Sequence, residues 1–406
     1  MEFQVSSKAK MLTTFLMVVG IVFTLIGVMQ AFPEEGHDSH VGTRVMGNLL
    51  TNSFFFFAIG LGAMFFLALQ YATETGWYAA IKRVIEAVSG FMPYGIAMMI
   101  LTLLTISFMH GAHIYQWMDP EVMEKGGSHY DALSAGKGGY LNQIFFWIRT
   151  IAYLGVYYIY WRGFQKRSLL QDSNPEMAVD LHFKNYRKGA AFLVFFAVFS
   201  STSSWDWIMS IDIHWFSTLF GWYVFAGMWC STMIVLVTLT LYLKKRGYLP
   251  KVNESHIHDL GKWTFATSFL WSYLWFSQFM LIWYANIPEE TTYYIIRQDY
   301  FSWLYFGMFF INFAFPMLVL MSRDAKRHAG ILTLVGLVVL AGHWVDAWQM
   351  INIGALGGLA HIGILELGMA VLFLGFFVRV ILVNLTKAPL TAVNHPFLDE
   401  SIHHEI

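Results

Sequence analysis

The chain has 406 residues, 57% of them hydrophobic, 18% aromatic and only 13% charged, with a formal net charge of −1. A soluble domain carries about twice that share of charge, so lipid must solvate much of this surface. The near-zero charge excludes a basic field for nucleic acid. The single cysteine, Cys230, excludes an internal disulfide, a CxxCH haem attachment and a cysteine-held iron–sulfur cluster.

Lys8 and Lys10 precede a first apolar stretch at 11–32. No A-x-A cleavage signal follows, so the stretch reads as a retained helix rather than a signal peptide. Segments long enough to span a bilayer recur at 47–71, 90–110, 141–164, 189–211, 215–243, 262–287, 300–321, 329–347 and 361–386. The segment 76–89, with Lys82, Arg83 and Glu86, reads as an amphipathic, interfacial lead-in to the third span. The expected fold is all-α: a polytopic integral membrane protein of about ten transmembrane helices, one transmembrane domain over 1–406. Two four-helix bundles at 47–211 and 215–347, flanked by helices 11–32 and 361–386, are one arrangement, which periodicity alone does not show. No loop is long enough for a soluble domain. Residues 388–406 read as a polar cytoplasmic tail lying along a partner or in solvent.

Alternating the spans places all but five of the 25 lysines and arginines on the side of the N-terminus; the exceptions are Arg44, Lys125, Lys137, Arg149 and Arg297. The positive-inside rule then puts both termini in the cytoplasm.

Ionisable residues within spans are costly and are functional candidates by default. Here they gather toward the outer side. Asp206 lies near the outer end of the fifth span, followed by Asp212 and His214. His110 and His113 end the third span, and Arg149 lies in the fourth. Glu289 follows Pro288, His343 and Asp346 close the ninth span, and Glu366 opens the tenth. Such a cluster can hold a quinone head, pass protons, or join helices. A histidine at a helix end is more often an interfacial residue, and Glu289 after a proline is more often in a solvated turn. Arg149 and Asp206 differ, because both fall inside apolar spans. They are expected to face the interior and pair across neighbouring helices. With no histidine expected at mid-bilayer depth, haem ligation is not expected, nor is a metal site. No nucleotide-binding, nucleophile-elbow or zincin motif is present.

Four stretches then carry a resemblance: WDWIMSIDIHWFSTLFG from Trp205, FSQFMLIWYANIPEETTYY from Phe276, FPMLVLMSRDAKR from Phe315, and GHWVDAWQ from Gly342. Together they resemble the membrane subunits of bacterial alternative complex III, within the polysulfide-reductase membrane-subunit (NrfD-like) family. The resemblance implies a subunit of a respiratory quinol:electron-acceptor oxidoreductase in the bacterial inner membrane. It implies a homologous ten-span membrane subunit as partner, with two four-helix bundles in each. Haem and iron–sulfur clusters are expected only in periplasmic iron–sulfur and multihaem cytochrome c partners, with no cofactor bound covalently here. The chain looks more like the shorter, ActF-type subunit than the longer one that holds the family's quinol pocket. It is therefore expected to supply a proton path and scaffold, with quinone or menaquinone as the candidate ligand. Arg323, Asp324 and His328 are candidates for the cytoplasmic mouth of that path, against the plainer reading of a positive-inside loop. A purely structural anchor for peripheral redox subunits is the competing reading. A stand-alone proton-coupled transporter ranks last, since no symmetric pair of broken spans is visible.

Overall fold

The computed structural model describes residues 3–31, 40–108 and 114–405, and among these there is no strand. The described chain contains ten long helical segments: α1 Ser7–Ala31, α2 Val41–Ala72, α3 Lys82–Phe108, α4 Gln143–Ser173, α5 Pro175–Ile211, α6 Phe220–Lys245, α7 Glu254–Ala285, α8 Pro288–Val319, α9 Ala329–Leu359 and α10 Ile364–Asn384. Eight of them are long and apolar enough to cross a membrane. The other two, α4 and α7, have 31 and 32 residues and match them in length. They are less apolar because Arg162, Lys166, Arg167 and Asp172 load the end of α4, and Glu254, Asp259 and Lys262 the start of α7. The chain is a helical, multi-pass membrane protein.

α2 is the hub. Its apolar window is 94% buried, against 17% for α1. It packs against α3, α5, α6, α9 and α10. α4 closes on α3 and α5, while α7 and α8 close on α6 and α9. α1 leans almost wholly on α10. These two run antiparallel, in contact through glycines: a Cβ on Gly20 would strike the backbone of Leu372, and one on Gly368 the backbone of Phe23 and Thr24. Small residues let membrane helices approach closely where no hydrophobic effect drives them together.

Turn chemistry sets the path between helices. α7 is capped by Asn286, held in the left-handed region at φ 49°, and Pro288 opens α8 two residues later. Two helices contain π turns, at Phe310–Ala314 in α8 and Gln349–Ile353 in α9. A π turn leaves carbonyls without their usual partner, and neighbouring side chains capture them here. Ser268 donates to the Asn312 carbonyl, and Arg297 Nη2 donates to the Gln349 carbonyl at 3.2 Å.

Three expectations need correction. First, α8 begins at Pro288 rather than 300, and α9 runs on past 347. The polar residues that appeared to end those spans turn inward onto other helices instead. His343 therefore lies mid-helix, not at an outer end. Second, Lys82, Arg83 and Glu86 are buried against other parts of the protein rather than on an exposed polar face. Arg83 pairs with Glu86 and Asp172, and Lys82 Nζ donates to Gln171 Oε1 at 3.2 Å, so the charges are compensated. Third, the tail lies on its own chain. Asn394 Nδ2 donates to the carbonyls of Gln171 at 3.1 Å and Asp172 at 2.9 Å. Ser401 Oγ accepts from the Ala80 N–H at 3.0 Å and donates to the Trp77 carbonyl at 2.6 Å. His404 Nε2 lies 2.6 Å from Asp259 Oδ2. Burial of His395, within this strap, against the rest of the protein pushes its imidazole down to about 2, with Lys82 adding to the effect.

Candidate functional site

The polar residues of the spans form separate sites rather than one outer cluster. In the first, Arg149 of α4 meets Asp206 of α5 by a two-pronged pair, Nε to Oδ2 and Nη2 to Oδ1, both at 2.8 Å. Tyr153 OH donates a third bond to Asp206 Oδ2 at 2.9 Å. The guanidinium lies against Tyr140 and Phe145, at 3.9 and 4.2 Å from their ring centres. Trp207 Nε1 donates to Thr150 Oγ1 at 3.1 Å, adding a neutral cross-link beside the charged one. Both carboxylate oxygens are occupied, and two perpendicular aromatic rings lie against the cation.

A second site joins α2 to α10. Arg44 binds Glu366 through two bonds of 2.7 Å, and Asn48 Nδ2 adds a bond of 2.9 Å to Glu366 Oε1. The polar face of α2 continues to α9, where Asn352 Nδ2 donates to Thr51 Oγ1 and Trp344 Nε1 to Asn52 Oδ1.

The third site is built differently. Asp346 and His343 sit three residues apart on α9, and so on one helix face. Both are 3% exposed. Asp346 accepts from Tyr223 OH of α6 through Oδ1 and from Trp271 Nε1 of α7 through Oδ2, the latter at 3.0 Å. One carboxyl thus ties three helices using neutral donors. The cation in the same region, Arg297 of α8, gives its hydrogen bonds to the carbonyls of Tyr293 and Gln349 and lies 3.4 Å over the Tyr293 ring. It makes no ion pair with Asp346 among the described residues.

Asp346 also forms a shared wall between two small cavities. One is lined by Gln278, Tyr294, Arg297 and Gln349, and the other by Phe55, Met228, Ser231 and His343. Their volumes are about 10 Å³ and 20 Å³, roughly room for one water each. The buried atoms along this line have no hydrogen-bond partner among the described residues: Gln278 Oε1, both side-chain atoms of Gln349, both ring nitrogens of His343, and both side-chain atoms of Asn312. Asn312 faces Gly342, so the file runs Gln349, Asp346, His343, Asn312, about 10 Å along α9. Unpartnered buried polar groups cost free energy, and seven such atoms lie along this file; others lie elsewhere, among them both ring nitrogens of His182.

The remaining sequence candidates lie apart from this file. Asp212 is half-buried, beside a cavity of about 330 Å³ that also contacts Lys137, Tyr140 and Trp205. His214 is exposed, with Nε2 3.2 Å from Asp131 Oδ2. The Asp131 carboxyl is held below its usual range chiefly by the Ser134 hydroxyl. Glu289 is exposed in the first turn of α8. Arg323, Asp324 and His328 are exposed, and His328 Nδ1 caps α9 by accepting the Ile331 N–H at 3.2 Å. His110 and His113 lie outside the described residues. Sequence reading missed Tyr223, Trp271, Arg297, Gln349 and Asn312. Arg297 carried a usable signal, as a lone arginine four residues after Tyr293; it fell outside the span because the apolar window opens at 300. No protein-family model matches the chain, and no curated protein matches it either.

Proposed function

We propose that this chain is a membrane subunit of a quinol:electron-acceptor oxidoreductase of the alternative complex III type, and that it conducts protons through the α6–α9 group with Asp346 as the exchanging carboxyl. The reading takes all ten long helices as spans, grouped as two four-helix bundles with α1 and α10 beside them, and both termini in the cytoplasm. Electrons are carried by haem and iron–sulfur partners.

The observation that carries the reading is Asp346 itself. It is a carboxyl buried at mid-helix, bonded only by neutral donors, with a water-sized gap on either side and His343 next in file. Such a group can bind a proton in one state and release it in another without breaking an ion pair. The cavities beside it are far below the roughly 300 Å³ at which ligand sites begin, which favours protons over a quinone ring there. The four sequence stretches resembling the family support the redox setting, and Gly342–Gln349 contains both His343 and Asp346. A second reading rests on the 330 Å³ cavity by Tyr140, Trp205 and Asp212, which is large enough for a quinone head.

Purification of the tagged chain in mild detergent tests the setting. The expected result is co-elution of multihaem cytochrome c and iron–sulfur polypeptides with quinol-oxidising activity. A chain that elutes alone, or with partners lacking redox centres, contradicts it. Photolabelling by a quinone analogue at Tyr140 or Trp205 would favour the second reading.

A further inference from the structure

We propose that the cleft between the α1–α10 pair and the rest of the molecule is a binding site for one anionic glycerophospholipid, its acyl chain in the cleft and its phosphate at Lys8 and Arg246. The cleft has a volume of about 440 Å³, within the roughly 300–1,000 Å³ of ligand sites. Its walls are apolar, with Phe56 from α2, Leu239 from α6, Leu340 from α9 and Phe377 from α10.

The gap follows from how α1 is held. α1 and α10 are drawn together by their glycines, so α1 is attached through α10 and touches α2 only slightly. The first turns of α1 consequently stand off from α6 and α9. Empty space of this size would cost packing energy inside a close-packed protein. In a bilayer it is open to lipid.

Charge selects the headgroup. Lys8 and Arg246 line the mouth, both exposed, and no carboxylate lines the cleft among the described residues. Arg379 adds a third cation nearby, with Nη1 3.4 Å from Thr13 Oγ1 on the cleft wall. Ser6 stands at the same mouth as a neutral donor. Two exposed cations over an apolar slot fit a phosphate above an acyl chain; a neutral isoprenoid tail would leave them unused. The proposal does not depend on the proton-path reading, since it concerns another face of the molecule.

The test is native mass spectrometry of the purified chain or complex, stripped of lipid and then titrated with phosphatidylglycerol or phosphatidylcholine in detergent micelles. The expected result is one retained phosphatidylglycerol, with a weaker phosphatidylcholine adduct. The K8Q/R246Q variant, changed only at exposed positions, should lose about tenfold of the phosphatidylglycerol affinity and clearly less of the phosphatidylcholine affinity, because choline already offsets that lipid's phosphate charge. Leu239→Trp, which fills the slot, should lose both. Equal retention of the two lipids, an unchanged affinity in K8Q/R246Q, or an isoprenoid quinone in place of phospholipid overturns the proposal.

Discussion

Two buried aspartates, Asp206 and Asp346, are satisfied in opposite ways. Asp206 is locked by a bidentate arginine and a tyrosine, with the arginine itself lying against two aromatic rings. Asp346 has two neutral donors, a histidine with both nitrogens unpartnered, and water-sized space on each side. Both are acids within apolar helices, so hydropathy alone cannot separate them. What separates them is whether a cation completes the site. A complete pair holds helices together; an incomplete one leaves a group free to change its protonation.

The largest expected effect breaks the locked pair. Arg149→Ala leaves Asp206 buried without its cation and should cost about 3–5 kcal/mol, seen as loss of assembled protein in membranes. The paired replacement R149M/D206L should recover most of that loss, because two apolar groups can replace a buried ion pair at little cost. An Arg149→Ala protein that assembles normally would show that the pair does not hold the fold. Next, Gly368→Leu on α10 pushes a side chain into the Phe23–Thr24 backbone of α1 and should cost roughly 1–3 kcal/mol, read as a lower melting temperature in detergent. It should leave turnover per assembled molecule unchanged, which sharpens the distinction between packing and chemistry.

The smallest effect is at the tail. His395 resists protonation in the docked strap down to about 2, whereas a released histidine titrates near 6.5. The released tail therefore gains a proton that the docked tail refuses. Docking is at full strength above about pH 6.5 and weakens below it, by up to about 1.4 kcal/mol per pH unit. The protection factors of backbone amides in 394–401, taken relative to the intrinsic exchange rate at each pH, should fall on moving from neutral pH to pH 5.5, and His395→Gln should flatten that dependence.

Much of this was legible in the sequence. Apolar runs marked where most long helices lie, and two opposite charges in adjacent apolar segments indicated the Arg149–Asp206 contact. Glu366 stood out as a charge in an apolar segment, but its partner Arg44 is 322 residues away and only the fold brings them together. The Asp346 site was misread for a physical reason. His343, Asp346, Gln349 and Asn352 lower the local hydropathy, so α9 appeared to stop where it passes through the protein interior. Arg297 disappeared for the same reason at the start of α8. Their burial depends on two π turns, whose freed carbonyls are captured by side chains from other helices, and no local pattern announces that. The polar tail looked solvated because its buried residues, Leu390, Ala392, His395, Leu398 and Ser401, are spread singly among polar, proline and exposed ones.

The most direct measurement is turnover per assembled complex in Asp346→Asn, beside wild type. Asparagine keeps the size of the side chain and an oxygen to accept from Tyr223 or Trp271, so assembly should stay near wild type. Proton-coupled quinol oxidation should fall by at least about tenfold, because the amide cannot take up and release the proton. Wild-type turnover in a fully assembled Asp346→Asn complex would contradict the account and leave Asp346 as a structural acid like Asp206.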